Sequence, residues 1–245
     1  MIIKSIFSSN FDPKKRKLKS IKFVIIHYTG MQSERESINR LINRRSKVSC
    51  HYLINNKGKI FRMVEENRIA WHAGKSCWKS YKNLNYNSIG IELVNKGHHF
   101  GYSNFTKKQI FSLLKICIKL RKKYKIKREN FLGHSDIAPT RKIDPGEKFP
   151  WKYLSNKKIS IWHNLNSRKL KNLRRVKIQN NKSKFSFLKN LLKIGYCFRK
   201  NINKKDLKKI IKAFQRHFRQ DLINGILDQE CLKISLNLAK KVKNT

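Results

Sequence analysis

Acidic residues are what this chain has least of: 14 Asp and Glu among 245 residues, against 59 Lys and Arg, for a formal net charge of +45. Each carboxylate therefore carries more information than usual. Long apolar runs are missing as well. No stretch approaches the ~18 residues of a membrane span, and the start, MIIKSIFSSNFDPKKRKLK, lacks the ~7 to 15 residue apolar core of a secretory signal. No membrane span is expected, and a cytoplasmic location follows from the missing signal. Paired cysteine spacing is also lacking. Cys50, Cys77, Cys117, Cys197 and Cys231 are odd in number, scattered and without a C-x-x-C, which suggests reduced thiols in a reducing compartment. The positive charge has two readings: an anionic partner such as nucleic acid, a membrane surface or an acidic polymer, or a general compositional bias. Lys, Asn and Ile are abundant from end to end, apolar periodicity survives beneath the lysines, and no compact basic motif stands out. Bias is the better reading, and no nucleic-acid partner is expected.

What is there centres on Phe131 to Trp151, FLGHSDIAPTRKIDPGEKFPW. It places His134, Lys142 and Asp144 within eleven residues of irregular chain where no amphipathic period explains them. Pro139 and Pro145 stiffen this loop. An imidazole and a carboxylate suit zinc, but two ligands are too few.

Upstream, KFVIIHYTG is a continuous apolar, β-branched run ending at Gly30, the pattern of a buried strand. His27 lies near its C-terminal end, where open α/β sheets bind ligands; a lone strand His is otherwise more often a satisfied core residue. Capping boxes at Ser33/Glu36 and Thr106/Gln109 predict helices over roughly 34–45 and through Leu120. HYLINNKGKIFRMV reads as a hairpin turned at Asn55 to Gly58. Residues 65 to 87 read as loop, with Trp71 and His72 in AWHAG; Trp71 either caps the core or, with His72, lines a sugar or peptide groove. In the strand SIGIELVN, Ile89, Ile91 and Leu93 face one side, and Gly90 and Glu92 the other. Gly90 leaves open space beside Glu92, and a carboxylate in such a strand needs a partner or a task.

These elements predict a mixed α/β domain, a sheet flanked by helices, over residues 1–165. From Ser155 to Lys184 there are ten Lys or Arg and no Asp or Glu, so like-charge repulsion predicts an extended basic linker over 166–184. Beyond it, three helical stretches closed or capped by Gly195, Asn203 and Asp228 predict a small all-α three-helix domain over 185–245.

If His27, His134 and Asp144 share one zinc, a fourth position stays open for water, as in catalytic sites. Glu92 would then move protons, and Lys142 would steady a developing oxyanion. That is a recipe for amide hydrolysis. The segments VIIHYTG, SCHYLINNKGKI, AWHAGKSCW, NSIGIELVN and GHSDIAPTRKIDPGEKFPW closely resemble the zinc-dependent N-acetylmuramoyl-L-alanine amidases of the peptidoglycan-recognition-protein fold. The resemblance implies one catalytic Zn2+ held by His27, His134 and Asp144, Glu92 and Lys142 as catalytic groups, and a peptidoglycan or muropeptide substrate. Some relatives carry Tyr where this chain has Cys50, which shifts weight to Glu92. The C-terminal LLKIGYCF and IIKAFQRHFRQDLINGILDQE resemble a helical peptidoglycan-binding module, and the pairing is that of the two-domain AmiD-type amidases. A wall-binding module favours the periplasm or cell envelope as the alternative location, and a monomer is expected.

Overall fold

The run FVIIHY forms strand β2 (Phe23–Tyr28), and burial on both faces explains why it reads as continuous rather than alternating. The computed structural model describes residues 2–199 and 201–243. β2 lies between β7 (Ser88–Leu93) and β8 (Phe131–Gly133), and all three are parallel. Beyond β7 come β3 (Tyr52–Ile54), β4 (Ile60–Arg62) and the edge strand β1 (Ile3–Ser5), giving a six-stranded sheet of order β1-β4-β3-β7-β2-β8. β3 and β4 form the expected antiparallel hairpin, with Asn55 Oδ1 accepting the N–H groups of Lys57 and Lys59 in its turn. The register sets His27 directly opposite Glu92. Because β2, β7 and β8 run the same way, their C-terminal ends deliver His27, Glu92 and His134 to one crevice.

One face of the sheet, carrying Val24, Ile26, Ile89, Ile91 and Leu93, packs on Ile110, Leu113, Cys117 and Leu120 of α2 (Lys107–Tyr124). Thr106 caps α2 by accepting the Gln109 N–H. The reciprocal half of that capping box is not made, because the Gln109 amide reaches into the sheet and donates to Ile54 O and Val94 O. Ser33 likewise caps α1 (Glu34–Ile42), while the Glu36 carboxylate accepts from the Gln32 N–H instead. α1 stops short of Arg45 because Asn43 opens a 3-10 turn, its side chain accepting the Arg45 N–H.

The opposite face, carrying Phe23, Ile25 and Leu132, joins a core that runs without a break into the C-terminal helices. Trp78, Leu84 and Ile137 of α3 (His134–Ile137) share it with Phe187 and Leu191 of α6 (Asn181–Ile194), Phe214 of α7 (Lys204–Phe218) and Ile234 of α8 (Gln229–Lys243). A helix α4 (Trp151–Asn156) follows the segment expected to form the site, with Trp151 and Leu154 in the core on the α2 side of the sheet. In AFQRHF, five of the six side chains (all but Arg216) are buried, so this stretch builds interior rather than outer surface.

Two expectations need correction. Residues 166–184 are not extended throughout: Ser167–Leu173 forms α5, with Leu170 in the shared core. Just past α5, Arg174 finds carboxylate partners, donating to Asp221 and Glu230, 47 and 56 residues further along the chain. Nor are all thiols reduced. Cys77 and Cys197, 120 residues apart, form a disulfide, while Cys50, Cys117 and Cys231 are free and buried. The disulfide ties the small hairpin β5 (Cys77–Trp78) and β6 (Tyr81–Lys82) to the chain just after α6. Cross-linking so long a loop restricts the unfolded chain. Cys77→Ser is therefore expected to lower stability by ~2–4 kcal/mol, read as an earlier midpoint in denaturant. Peptide mapping without reductant should recover both cysteines in one linked fragment; two free thiols in air-oxidised protein would remove the cross-link.

Candidate functional site

Three side chains from three segments converge at the C-terminal edge of the sheet. His27 Nδ1 and His134 Nδ1 are 3.0 Å apart, and Asp144 Oδ2 lies 3.0 Å from the first and 3.1 Å from the second. His27 sits on β2 and His134 opens α3 directly after β8. Asp144 is brought back to them by the loop after α3, where Ser135 N–H donates to Asp144 O at 2.9 Å and Lys142 N–H to Ala138 O at 2.9 Å. All three side chains are nearly buried.

Hydrogen bonds to the outer ring atoms determine what the inner ones offer. Ser88 Oγ donates to Leu84 O at 2.6 Å, so toward His72 it can only accept, taking the Nε2–H at 3.2 Å. His72 Nδ1 must then accept from His27 Nε2–H at 3.1 Å, which leaves His27 Nδ1 a bare lone pair. His134 Nε2–H donates to Ala73 O at 3.1 Å, baring its Nδ1 in the same way. Arg141 holds that carbonyl in place, donating to Ala73 O and Lys75 O, both at 2.9 Å. Two lone pairs and a carboxylate oxygen at 3.0 Å repel one another unless a cation lies among them. A triangle of that side puts a point ~2.0 Å from all three atoms ~1 Å above their plane, which matches zinc bonds to imidazole and carboxylate. The residues fit the metal.

The electrostatics agree with such a donor set. Burial, with the neighbouring His134, pushes the His27 imidazole down to about 4, which keeps it neutral and able to ligate. Burial alone would raise the Asp144 carboxyl; positive charge at the two imidazoles, the place a bound cation would take, holds it well below the usual range. Glu92 behaves in the opposite way. Burial, then the charge of Asp144, raises its carboxyl to about 8, against a smaller pull from Lys142. Its Oε2 is sealed from solvent without a hydrogen-bond partner, beside the cleft that holds the other three.

That cleft has a volume of ≈ 380 Å³, and Trp71, Lys142 and Arg141 form part of its wall with the four residues above. His72 also reaches the wall, but both its ring nitrogens are taken up by His27 and Ser88, so it supports the His27 ring. Gly90 does not leave that space open either. A Cβ there would stand 2.4 Å from the His72 ring, so the glycine exists to let the imidazole lie flat against β7. Cys50 is fully buried against Leu53 and Met63, with its thiol pushed up by burial and by Glu92; it fills core and faces no cleft. The roles of Ser88 and Gly90 had no local signal, because their partner His72 is 16 residues from Ser88 in sequence.

The profile of the family described as N-acetylmuramoyl-L-alanine amidase (Amidase_2) matches residues 17–147. The N-acetylmuramoyl-L-alanine amidase AmiD of Escherichia coli is 35% identical over 233 residues, covering 90% of this chain and 83% of that one. The 1,6-anhydro-N-acetylmuramyl-L-alanine amidase AmpD of Haemophilus influenzae is 42% identical over 114 residues, 46% of this chain and 60% of that one. Among solved structures, AmiD of E. coli in complex with the substrate anhydro-N-acetylmuramic acid-L-Ala-D-γ-Glu-L-Lys superposes with a TM-score of 0.80 at 33% identity, covering 94% and 92% of the two chains. AmpDh3 of Pseudomonas aeruginosa in complex with anhydromuramic pentapeptide gives 0.80 at 30% identity, covering 94% of each.

Glu92 also makes stability depend on pH. Folded, metal-free protein keeps the Glu92 proton up to about 8, whereas an unfolded Glu releases it near 4.5, so the folded state binds more protons in between. Its contribution to stability therefore falls as pH rises through that window. In chelator-treated protein, the denaturation midpoint of Glu92→Gln should match wild type below pH 4.5 and exceed it increasingly toward pH 8. A constant offset across the range would show that Glu92 ionises normally.

Proposed function

The chain belongs to the N-acetylmuramoyl-L-alanine amidase family, and on that footing we propose that it hydrolyses the amide between the N-acetylmuramoyl group and L-alanine in anhydro-muropeptides and peptidoglycan, with one Zn2+ held by His27, His134 and Asp144. The observation that carries this reading is the triangle of bare donor atoms next to the unpartnered Glu92 Oε2. Two relatives that superpose over nine-tenths of the chain were solved with anhydromuramyl peptides, which supports the same substrate class.

Zinc, when bound, supplies a positive centre that polarises a carbonyl and acidifies water. The chain's own residues do the rest. Glu92 takes a proton from the attacking water and hands it to the amine of L-alanine as the C–N bond breaks, leaving a carboxylate on the muramoyl lactyl group. A carboxyl with a bare oxygen beside the donor triangle is placed for both transfers. Lys142, on the cleft wall beside Asp144, steadies the negative charge that develops on the carbonyl oxygen. Trp71 offers an aromatic face to the sugar or peptide. His72 keeps His27 in the ligating tautomer rather than touching substrate.

No described helix is long and apolar enough to cross a membrane. The Cys77–Cys197 disulfide favours an oxidising compartment, so the periplasm is the better reading of location than the cytoplasm. Binding of wall polymer by the 185–245 helices rests on their sequence resemblance, and within AFQRHF only Arg216 is not buried, so contact with glycan falls to it and to residues outside that stretch.

Incubation with a defined anhydro-muropeptide should release a free stem peptide beginning with L-alanine, identified by mass. Cuts confined to bonds within the stem would refute the assignment. Purified protein should carry one zinc, which His134→Ala and Asp144→Ala lose. Glu92→Gln should keep its zinc yet lose about a hundredfold or more in turnover.

A further inference from the structure

Asp136 lies two residues after His134, nearly fully buried, and among the described residues its ion-pair partner is His217 rather than a Lys or Arg. Its partners come from one nearby backbone group and from the far end of the chain. Oδ2 accepts the Gly133 N–H at 2.7 Å and His217 Nδ1–H at 2.7 Å, and Oδ1 accepts the Tyr196 hydroxyl at 2.7 Å. The Gly133 bond closes the turn that carries His134 out of β8. The other two hold that turn from outside: Tyr196 follows α6, and His217 lies in the last turn of α7.

The contact extends to the second ligand segment. The His217 ring stacks on Trp151, centroids 3.9 Å apart and planes within 17°. Trp151 in turn lies so near Gly133 that an added Cβ would sit 3.3 Å from its ring and 2.6 Å from Cδ of Pro145, the residue next to Asp144. Gln220, just past α7, donates to Glu147 O and Phe149 O, each at 2.7 Å, holding the loop that returns from Asp144. Tyr196 is itself fixed, packed edge-on against Trp78 and followed at once by disulfide-bonded Cys197. Thus both ligand-bearing turns rest on groups from the C-terminal helices.

We propose that Tyr196 and His217 are positioning residues for the metal centre: by holding Asp136 they set the turn that aims His134, so the C-terminal helices complete the site instead of only carrying it to its substrate. This rests on the zinc reading above. Asp136 is a poor candidate for a merely stabilising group, since a buried carboxylate, even hydrogen-bonded, costs more to desolvate than an apolar filler of its size. What it provides is geometry: three donors converging on two oxygens leave the Gly133–Asp136 turn one arrangement.

The test measures zinc affinity by chelator competition on the full chain, with thermal unfolding alongside. Tyr196→Phe removes one hydroxyl at constant shape, and His217→Phe keeps the ring stacked on Trp151 but removes the donor. Each should weaken zinc about 10- to 100-fold, the scale for losing a group that orients a ligand. His217→Asn, whose amide nitrogen falls near the place of Nδ1, should recover most of that loss although it forfeits the stacking. A purely structural role would do the reverse, lowering the melting temperature most for His217→Asn and leaving zinc affinity of the folded protein unchanged. Wild-type affinity in folded Tyr196→Phe and His217→Phe would overturn the inference. So would equal weakening by His217→Phe and His217→Asn. Wild type that binds no zinc would overturn it together with the metal reading, and that case is recognised from wild type alone.

Discussion

The site depends on three donor atoms held within about 3 Å of one another against their own repulsion, His27 Nδ1, His134 Nδ1 and Asp144 Oδ2. Such an arrangement survives only if each ring is prevented from turning its N–H inward. Much of the surrounding fold serves that end. Parallel β2, β7 and β8 bring the carriers to one edge. Ser88, committed to Leu84 O, forces His72 to accept from His27, and Gly90 gives the His72 ring room to do so. Replacing any of these would act on the centre without touching it.

Parts of this could be read from sequence because they are local. Alternation in SIGIELVN was enough to set Glu92 apart from Ile89, Ile91 and Leu93, and the β-branched run ending at Gly30 placed His27 at a strand end. The irregular loop around Pro139 and Pro145 marked His134 and Asp144 because nothing periodic accounted for them. Other features stayed hidden because they pair distant groups. The disulfide closes 120 residues, and Arg174, just past α5, pairs with carboxylates far downstream. His72 was placed in the right cleft but given the wrong outlook. A loop His beside a Trp reads as a surface group until Ser88 and Gly90 are known to lie behind it.

The scarcity of acid has a structural counterpart. Glu129, Asp136, Asp144, Asp228 and Glu230 are all buried, and each has a cationic or imidazole neighbour: Lys79, His217, the His27–His134 pair, Arg219, and Arg174 with Arg219. A carboxylate sealed inside costs several kcal/mol unless paired, so each of these five acids depends on its partner. Most of the 59 Lys and Arg lie outside, which leaves the surface strongly positive. An anionic wall polymer would meet that surface favourably whatever its origin, with an attraction that salt weakens.

The same reasoning bears on why the helical segment is joined so closely to the sheet. His134 is supported from two directions, through its ring by Ala73 O and through its turn by Asp136. The Ala73 strand of support belongs to the loop that ends in Cys77 and Trp78; the Asp136 strand ends in Tyr196, beside Cys197. Gly195 adopts a positive φ against the Trp78 ring, where a Cβ would stand 2.5 Å away, and Lys79 N–H donates to Gly195 O at 2.7 Å. One disulfide therefore ties together both supports of the His134 imidazole. Loop closure across 120 residues is entropically slow to form unaided, so a covalent tie at this point favours the arrangement that aims the imidazole at the cost of freedom only in the unfolded chain.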